Sequence, residues 1–334
     1  MNSWLNVLTN LRPHFDESTK IAIKLGNISI TWYAVIILTG ALIGTFFGYF
    51  YFAKRLNMTS DLVSEGLALG LLLGIIGARL YYVAFSGIHY DSFWEVINPR
   101  SGGLAIHGAI IAVVIYLPIW CKIRHIDLLV LLEIALPLIM FAQVVGRWGN
   151  FINQEAFGEL VKYPGELASN GILSDAQLLA QREWLHKLLI PNFIIDRMYI
   201  SSSTAAGFSI AGYYQPTFLF ESVLNLIGLT LYMTIRKFVK KIYVGDGISF
   251  YLIWYGGVRI FIESLRSDPL LIGNSNIKVA QVISIIFIIV GVAFAVVRRI
   301  LKYRLTSCYD ALYKEGATMI IDENKKKEKI NNEK

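Results

Sequence analysis

Apolar residues run in seven long stretches along this chain, at roughly 32–52, 62–85, 104–120, 127–145, 217–235, 247–265 and 278–298. About 20 residues in a helix cross the hydrocarbon core of a bilayer, so the pattern predicts an all-α integral membrane protein with about seven transmembrane helices. The third stretch is short, and Arg79, Glu133, Arg259 and Glu263 interrupt others. Gly40, Gly44 and Gly48 recur at helical spacing in the first stretch, which fits close packing between membrane helices. The pattern also divides the chain. Residues 1–31 read as an external N-terminal arm and 32–300 as the transmembrane domain, with a small external segment at 146–216 between the fourth and fifth spans. Within that segment "LSDAQLLAQREWLHKLLI" carries apolar residues at helical intervals and reads as a helix lying on the membrane surface. Residues 301–334 read as a polar cytoplasmic tail whose end, "IDENKKKEKINNEK", is expected to be disordered. No internal repeat is visible.

Composition agrees with a membrane protein and narrows the chemistry. Of 334 residues 55% are hydrophobic and only 16% charged, too apolar for a soluble domain of that length. Residues 1–31 contain Arg12, His14, Asp16, Glu17, Lys20 and Lys24 instead of a compact apolar run with a small-residue cleavage site, so no cleavable signal peptide is expected. Cys121 and Cys308 are the only cysteines and lie far apart, which argues against a disulfide framework and a thiolate metal cluster. Neither a metal nor a cofactor is expected. The net charge of +7 belongs to orientation, not to nucleic acid. Basic residues collect at one set of ends, at Lys54 and Arg55, Lys122 and Arg124, Arg236, Lys237, Lys240 and Lys241, and Arg298, Arg299, Lys302 and Arg304. The opposite loops, 86–103 and 266–277, hold only Arg100 and Arg266. The basic ends are therefore cytoplasmic, which puts the N-terminus outside and the C-terminus inside.

That topology sorts the polar residues by depth. Arg79 falls in the outer half of the second span and His107, in "GGLAIHGA", near the outer end of the third. "GRWGNFINQEAFG" puts Arg147, Asn150, Asn153 and Glu155 after the outer end of the fourth, and Glu221 begins the fifth. In the sixth, Tyr255, Arg259, Glu263 and Arg266 follow at spacings of four, four and three, which stacks them on one helix face. A charged side chain deep in a membrane helix costs on the order of 2.5–3.5 kcal/mol on insertion scales, so several in one leaflet imply a protein interior or a wet cavity. Two arginines and a histidine there suit an anion, and the guanidinium fork matches phosphate oxygens in pairs. Each residue also has a plainer reading taken alone. Arg147 fits a snorkelling anchor, Arg259 with Glu263 a structural i,i+4 pair, and Arg79 and His107 packing residues. GxSxG, HExxH, Walker and dinucleotide motifs are absent. A nucleophile is therefore expected to arrive on a substrate.

Taken together, these stretches resemble the bacterial prolipoprotein diacylglyceryl transferases. Gly146, Arg147, Gly149, Asn150, Asn153, Glu155 and Gly158 match that family's signature, and "TWYAVIILTG" at Tyr33, "GARLYYV" at Arg79, "GGLAIHG" at His107 and "YGGVRIFIESLRSD" match further motifs in order. The resemblance implies an enzyme of the bacterial plasma membrane that moves diacylglycerol from phosphatidylglycerol to the lipobox cysteine of a prolipoprotein signal peptide, releasing glycerol phosphate. It implies Arg147, Arg259 and His107 as catalytic. It implies Tyr33, Arg79, Asn150, Asn153, Glu155, Gly158, Glu221, Tyr255, Glu263 and Arg266 as substrate-binding. His107 is then either the base for the thiol or a group polarising the glycerol end. One motif departs from the family: "QPTFLFE" carries Gln215 where a histidine is usual and Phe218 where a glutamine is usual. A transporter of an anionic or lipid substrate is the alternative, weakened by the lack of repeats and by charge confined to one leaflet. A membrane scaffold for exported proteins is a third.

Overall fold

The computed structural model describes residues 11–15, 17–25, 28–88, 90, 92–97, 103–166, 172–201, 210–267, 269–271, 275–303 and 305–319. The expected disordered end at 321–334, the loop residue Arg100, residues 1–10 of the N-terminal arm and parts of the external segment lie outside the described residues. The chain is mostly helical, in order α1 (Trp32–Phe47), α2 (Ser60–Phe85), α3 (Phe93–Ile97), α4 (Ile106–Ile123), α5 (Leu128–Asn153), α6 (Asp175–Lys187), α7 (Asn192–Arg197), α8 (Thr217–Phe238), α9 (Asp246–Leu265), α10 (Val279–Ile300) and α11 (Cys308–Leu312). Two small antiparallel pairs accompany them, β1 (Ile21–Leu25) with β2 (Ile28–Thr31) and β3 (Tyr199–Ile200) with β4 (Gly212–Tyr213). Among the described residues six helices are long and apolar enough to cross a membrane: α1 extended to Phe50, α2, α4, α5, α8 and α10. α9 has 20 residues, about 30 Å of helix. Asp246, Arg259 and Glu263 lower its apolarity.

Contacts divide the chain into two compact units, one of Met1–Gly44, Leu136–Thr234 and Gly247–Tyr303, the other of Thr45–Ala135, Ile235–Asp246 and Arg304–Lys334. In the second unit α2 and α4 meet along a column of glycines. Gly66 faces the Trp120 indole, Gly70 the Tyr116 ring, Gly74 Val113 and Ala109, and Gly77 the backbone of Gly108. Without a Cβ on one side, the two backbones approach closely enough for dispersion to hold them in the absence of water. Trp120 Nε1 and the Arg124 guanidinium both donate to Glu65, pinning α4 to α2 beside that column.

Elsewhere in this unit Arg236 and Glu133 are fully buried. Arg236 donates to the Glu133 carbonyl oxygen and stands 4.9 Å over the Phe52 ring, while Glu133 Oε1 accepts from the Gly245 N–H at 2.7 Å. A residue read from sequence as one of the orienting surface charges is thus part of an interior. Residues 305–319 are woven into the same unit. The Cys308 N–H donates to Ile242 O, Val244 N–H to Thr306 O, Met319 N–H to Leu56 O and Asp127 N–H to Met319 O. Cys308, Leu312 and Met319 are buried. A polar average over 301–334 hides these three anchors.

The first unit packs α1 on α5, with Gly40 against Val145 and Gly44 against Phe141, and α8 on α9, with Gly228 against the Trp254 indole. The segment between α5 and α8 has a core of its own. α6 opens with a reciprocal cap between Ser174 and Gln177 and buries Leu178 and Leu185 with Val161, Ile194, Ile195, Ile200 and Tyr213. The apolar face expected to lie on the membrane surface is instead enclosed by α7, β3 and β4, because those elements present enough apolar side chains to cover it.

Arg182, almost wholly buried in that core, donates through Nη1 to Asp196 Oδ1 at 2.5 Å and to the Tyr213 hydroxyl at 2.7 Å, which in turn donates to Leu11 O at 3.1 Å. Burial pushes the Tyr213 phenol above its ordinary value, against the opposing pull of the Arg182 hydrogen bond. It is therefore a protonated donor at neutral pH. Tyr213→Phe breaks both links in a dry core and is expected to destabilise the protein by about 1–3 kcal/mol. A lowered thermal midpoint in detergent would register this; an unchanged midpoint would count against the relay.

Candidate functional site

Three helices of the first unit assemble one charged cluster. Glu221, at the start of α8, is 1% exposed and accepts from Arg147 Nη2 of α5 at 2.5 Å and from Arg259 Nη1 of α9 at 3.4 Å. Arg259 Nη2 also lies 2.9 Å from Glu263 Oε2, one turn along the same helix, a charge contact without hydrogen-bond alignment. The Glu221 and Glu263 side chains are 1% and 2% exposed, the Arg147 and Arg259 side chains 21% and 16%. The carboxylates thus form the floor and the guanidiniums the accessible surface. Glu221 sits where one carboxylate can bridge both arginines, which is why a glutamate that begins a helix is worth burying. Among the described residues Arg147 donates only through Nη2, so its other N–H groups remain for a ligand. Gly146, next to Arg147, and Gly257, two residues before Arg259, have open space where a Cβ would stand.

The polar column continues one turn away from the charges. Gln143, four residues before Arg147, donates through Nε2 to the Tyr251 hydroxyl at 2.9 Å. Tyr251 stacks on Tyr255 at 5.6 Å with nearly parallel rings. Tyr255 is therefore held by a stacked ring on the same helix as Arg259, one turn before it. Gln143, Tyr251 and Asn225 escaped the sequence reading, although each lies four residues from a residue it named: Arg147, Tyr255 and Glu221.

After α5 the chain turns through two residues in the left-handed region, Gln154 (φ 52°) and Ala156 (φ 56°). The Glu155 carboxylate closes this turn by accepting from Asn150 Nδ2 at 3.0 Å and Asn153 Nδ2 at 3.3 Å. Gly158 then pairs through its backbone with Arg266 beyond α9, and its N–H donates to Gln215 O at 2.8 Å. A Cβ at Gly158 would stand 2.8 Å from Gln215 Cβ and 2.9 Å from Leu265 O, so only glycine fits. Gly149 is equally constrained, by the Tyr33 ring packed on it. The structure thus brings Tyr33, Arg147, Asn150, Asn153, Glu155, Gly158, Glu221, Tyr255, Arg259, Glu263 and Arg266 into one unit. Phe218 stacks on Phe151 at 4.7 Å and meets Trp148 edge-on at 5.6 Å. An aromatic at that position extends the core of the segment between α5 and α8 onto α5.

Arg79 and His107 belong to the other unit. Arg79 is 7% exposed and donates to Val96 O at 2.6 Å, Glu95 O at 2.5 Å and Gly103 O at 3.1 Å. Its guanidinium thus holds α3 through Nε and Nη2 and Gly103, just before α4, through Nη1. His107, in the first turn of α4, is exposed with its ring 5.8 Å from that of Tyr81.

Spanning helices around a buried carboxylate that holds two arginines define a multi-pass membrane protein with a charged site inside its bundle. The family model described as prolipoprotein diacylglyceryl transferase matches residues 20–297. Similar proteins include the phosphatidylglycerol–prolipoprotein diacylglyceryl transferases of Streptococcus uberis (37% identical over 280 residues, 84% of this chain and 95% of the relative) and Lactococcus lactis subsp. lactis (37% over 296 residues, 88% and 100%). That of Staphylococcus aureus is 37% identical over 290 residues, 86% of this chain and 92% of the relative. The chain belongs to the prolipoprotein diacylglyceryl transferase family and is a membrane-embedded transferase.

Proposed function

We propose that this chain transfers the diacylglyceryl group of phosphatidylglycerol to the thiol of a lipobox cysteine in an exported prolipoprotein, the first step of lipoprotein maturation, in the bacterial plasma membrane. The observation that carries the site assignment is Glu221 bridging Arg147 and Arg259 from below. In the reaction the cysteine sulfur bonds to the glycerol carbon of the diacylglyceryl group, the carbon–oxygen bond to phosphate breaks, and its electron pair leaves with glycerol phosphate. The phosphate gains a negative charge in that step. With their carboxylate partners fixed beneath them, the arginines need no reorganisation to meet it, and they bind the breaking state more strongly than the intact lipid.

The thiol, with an unperturbed pKa near 8.5, loses its proton in the same step. By family resemblance His107 takes it or polarises the glycerol end. Asn150, Asn153 and Glu155 shape the turn beside Arg147, Tyr33 and Tyr255 flank it, and Gly158 with Arg266 ties the turn to the end of α9. Arg79 acts by holding α3 and Gly103, four residues before His107. The basic helix ends support a cytoplasmic C-terminus and an outward-facing site.

Purified protein supplied with phosphatidylglycerol and a lipobox peptide should give a peptide whose cysteine has gained one diacylglyceryl group by mass, with glycerol phosphate released. Folded protein yielding no such product would refute the activity.

A further inference from the structure

One turn from the arginines the first unit holds a second polar place that the transfer chemistry does not use. Asn225 of α8 is 1% exposed, and its Nδ2 has no acceptor among the described residues. Gln143 Oε1 of α5 is likewise buried without a donor. Their level is set by contacts already made. Glu221 meets Arg147 and the Ser222 hydroxyl donates to Val144 O at 3.0 Å, so α5 and α8 run antiparallel here. Asn225 follows Glu221 by four residues and Gln143 precedes Arg147 by four. Both therefore lie about one helical turn, some 5.4 Å, to the same side of the charge pair. Glu221 and Arg147 are nearer the outer ends of their helices, so that side leads into the membrane.

A buried amide N–H without an acceptor is costly and uncommon in a native structure, and such a group asks what it is kept for. In a glycerophospholipid whose phosphate lies on Arg147 and Arg259, the ester carbonyls come next toward the acyl chains, at about the distance of that turn. They offer acceptors and no donors. We infer that Asn225 Nδ2 donates to an ester carbonyl of the diacylglyceryl group, making an ester-reading subsite below the phosphate site. The inference rests on the transferase reading above. Gln143 Oε1, being an acceptor, cannot contribute to ester recognition and needs a hydroxyl or water donor.

The test compares phosphatidylglycerol with its dialkyl ether analogue, which keeps phosphate, headgroup and chains but lacks both carbonyls. Wild-type kcat/KM should favour the diester by about threefold to tenfold, the worth of one neutral hydrogen bond. Asn225→Leu, or Asn225→Ala if the leucine variant does not fold, should reduce that ratio by the same factor. A ratio taken on one preparation does not depend on how much of the variant is folded, and a purely structural role for Asn225 would leave it unchanged. An equal preference in wild type and variant, or no preference in wild type, would overturn the subsite while leaving the transferase intact. Absence of thioether product from either lipid with folded wild-type protein would overturn the transferase reading, and the subsite with it.

Discussion

Arg147→Ala and Arg259→Ala are each expected to lower kcat for diacylglyceryl transfer by about 10²–10³-fold, the typical effect of deleting one preorganised donor to a developing oxyanion. The geometry explains why neither arginine should substitute for the other. Glu221 uses a different oxygen for each, so the two guanidiniums approach from different helices and present different edges. Arg147→Lys should recover only part of the loss, because an ammonium keeps the charge without the planar fork. Single-turnover rates with a lipobox peptide, read beside thermal midpoints to exclude unfolding, provide the measurement. Full turnover in both alanine variants would remove these residues from the reaction.

The second large effect is expected at Glu221, which holds both arginines. Glu221→Ala leaves two partly buried guanidiniums without their shared counter-charge, a change that typically costs about 3–5 kcal/mol when a buried pair is broken. Both stability and transfer should fall. Glu221→Gln keeps the shape and one acceptor oxygen but removes the charge, so it should melt closer to wild type yet still turn over slowly, since the arginines would lose their fixed orientation. If Glu221→Ala melted and reacted as wild type does, the bridging carboxylate would have no part in holding the site.

Much of this site could be read from the chain because the cost of charge in a membrane leaves few places for it. Arg259 and Glu263 at a spacing of four on a 20-residue helix had to face inward, and they do. The depth of Glu221 marks it in the sequence as a group that could orient the arginines, but nothing local to "FLFES" says that one carboxylate reaches both of them, on two other helices. Gln143 and Asn225 were missed because uncharged amides hardly disturb an apolar stretch. Buried polar groups outside the site misled in the opposite direction. Arg236 looks like an orienting surface cation, but Phe52 and the Glu133 carbonyl enclose it. The tail beyond residue 300 reads as polar until Cys308, Leu312 and Met319 are seen in their packing. Likewise α6 has the amphipathic pattern of a surface helix, and only its tertiary neighbours reveal which surface it covers.

The charges on α9 bear on how the protein is made. A helix with Arg259 and Glu263 in its C-terminal half is a poor candidate to leave the insertion machinery alone, at about 2.5–3.5 kcal/mol for each charge near a helix centre. Its counterparts Arg147 and Glu221 lie on segments earlier in the chain, so α9 is expected to depend on them for its placement. Labelling of single cysteines placed in the loop after α9 would reveal that dependence as an increased share of misplaced chains when Glu221 is alanine.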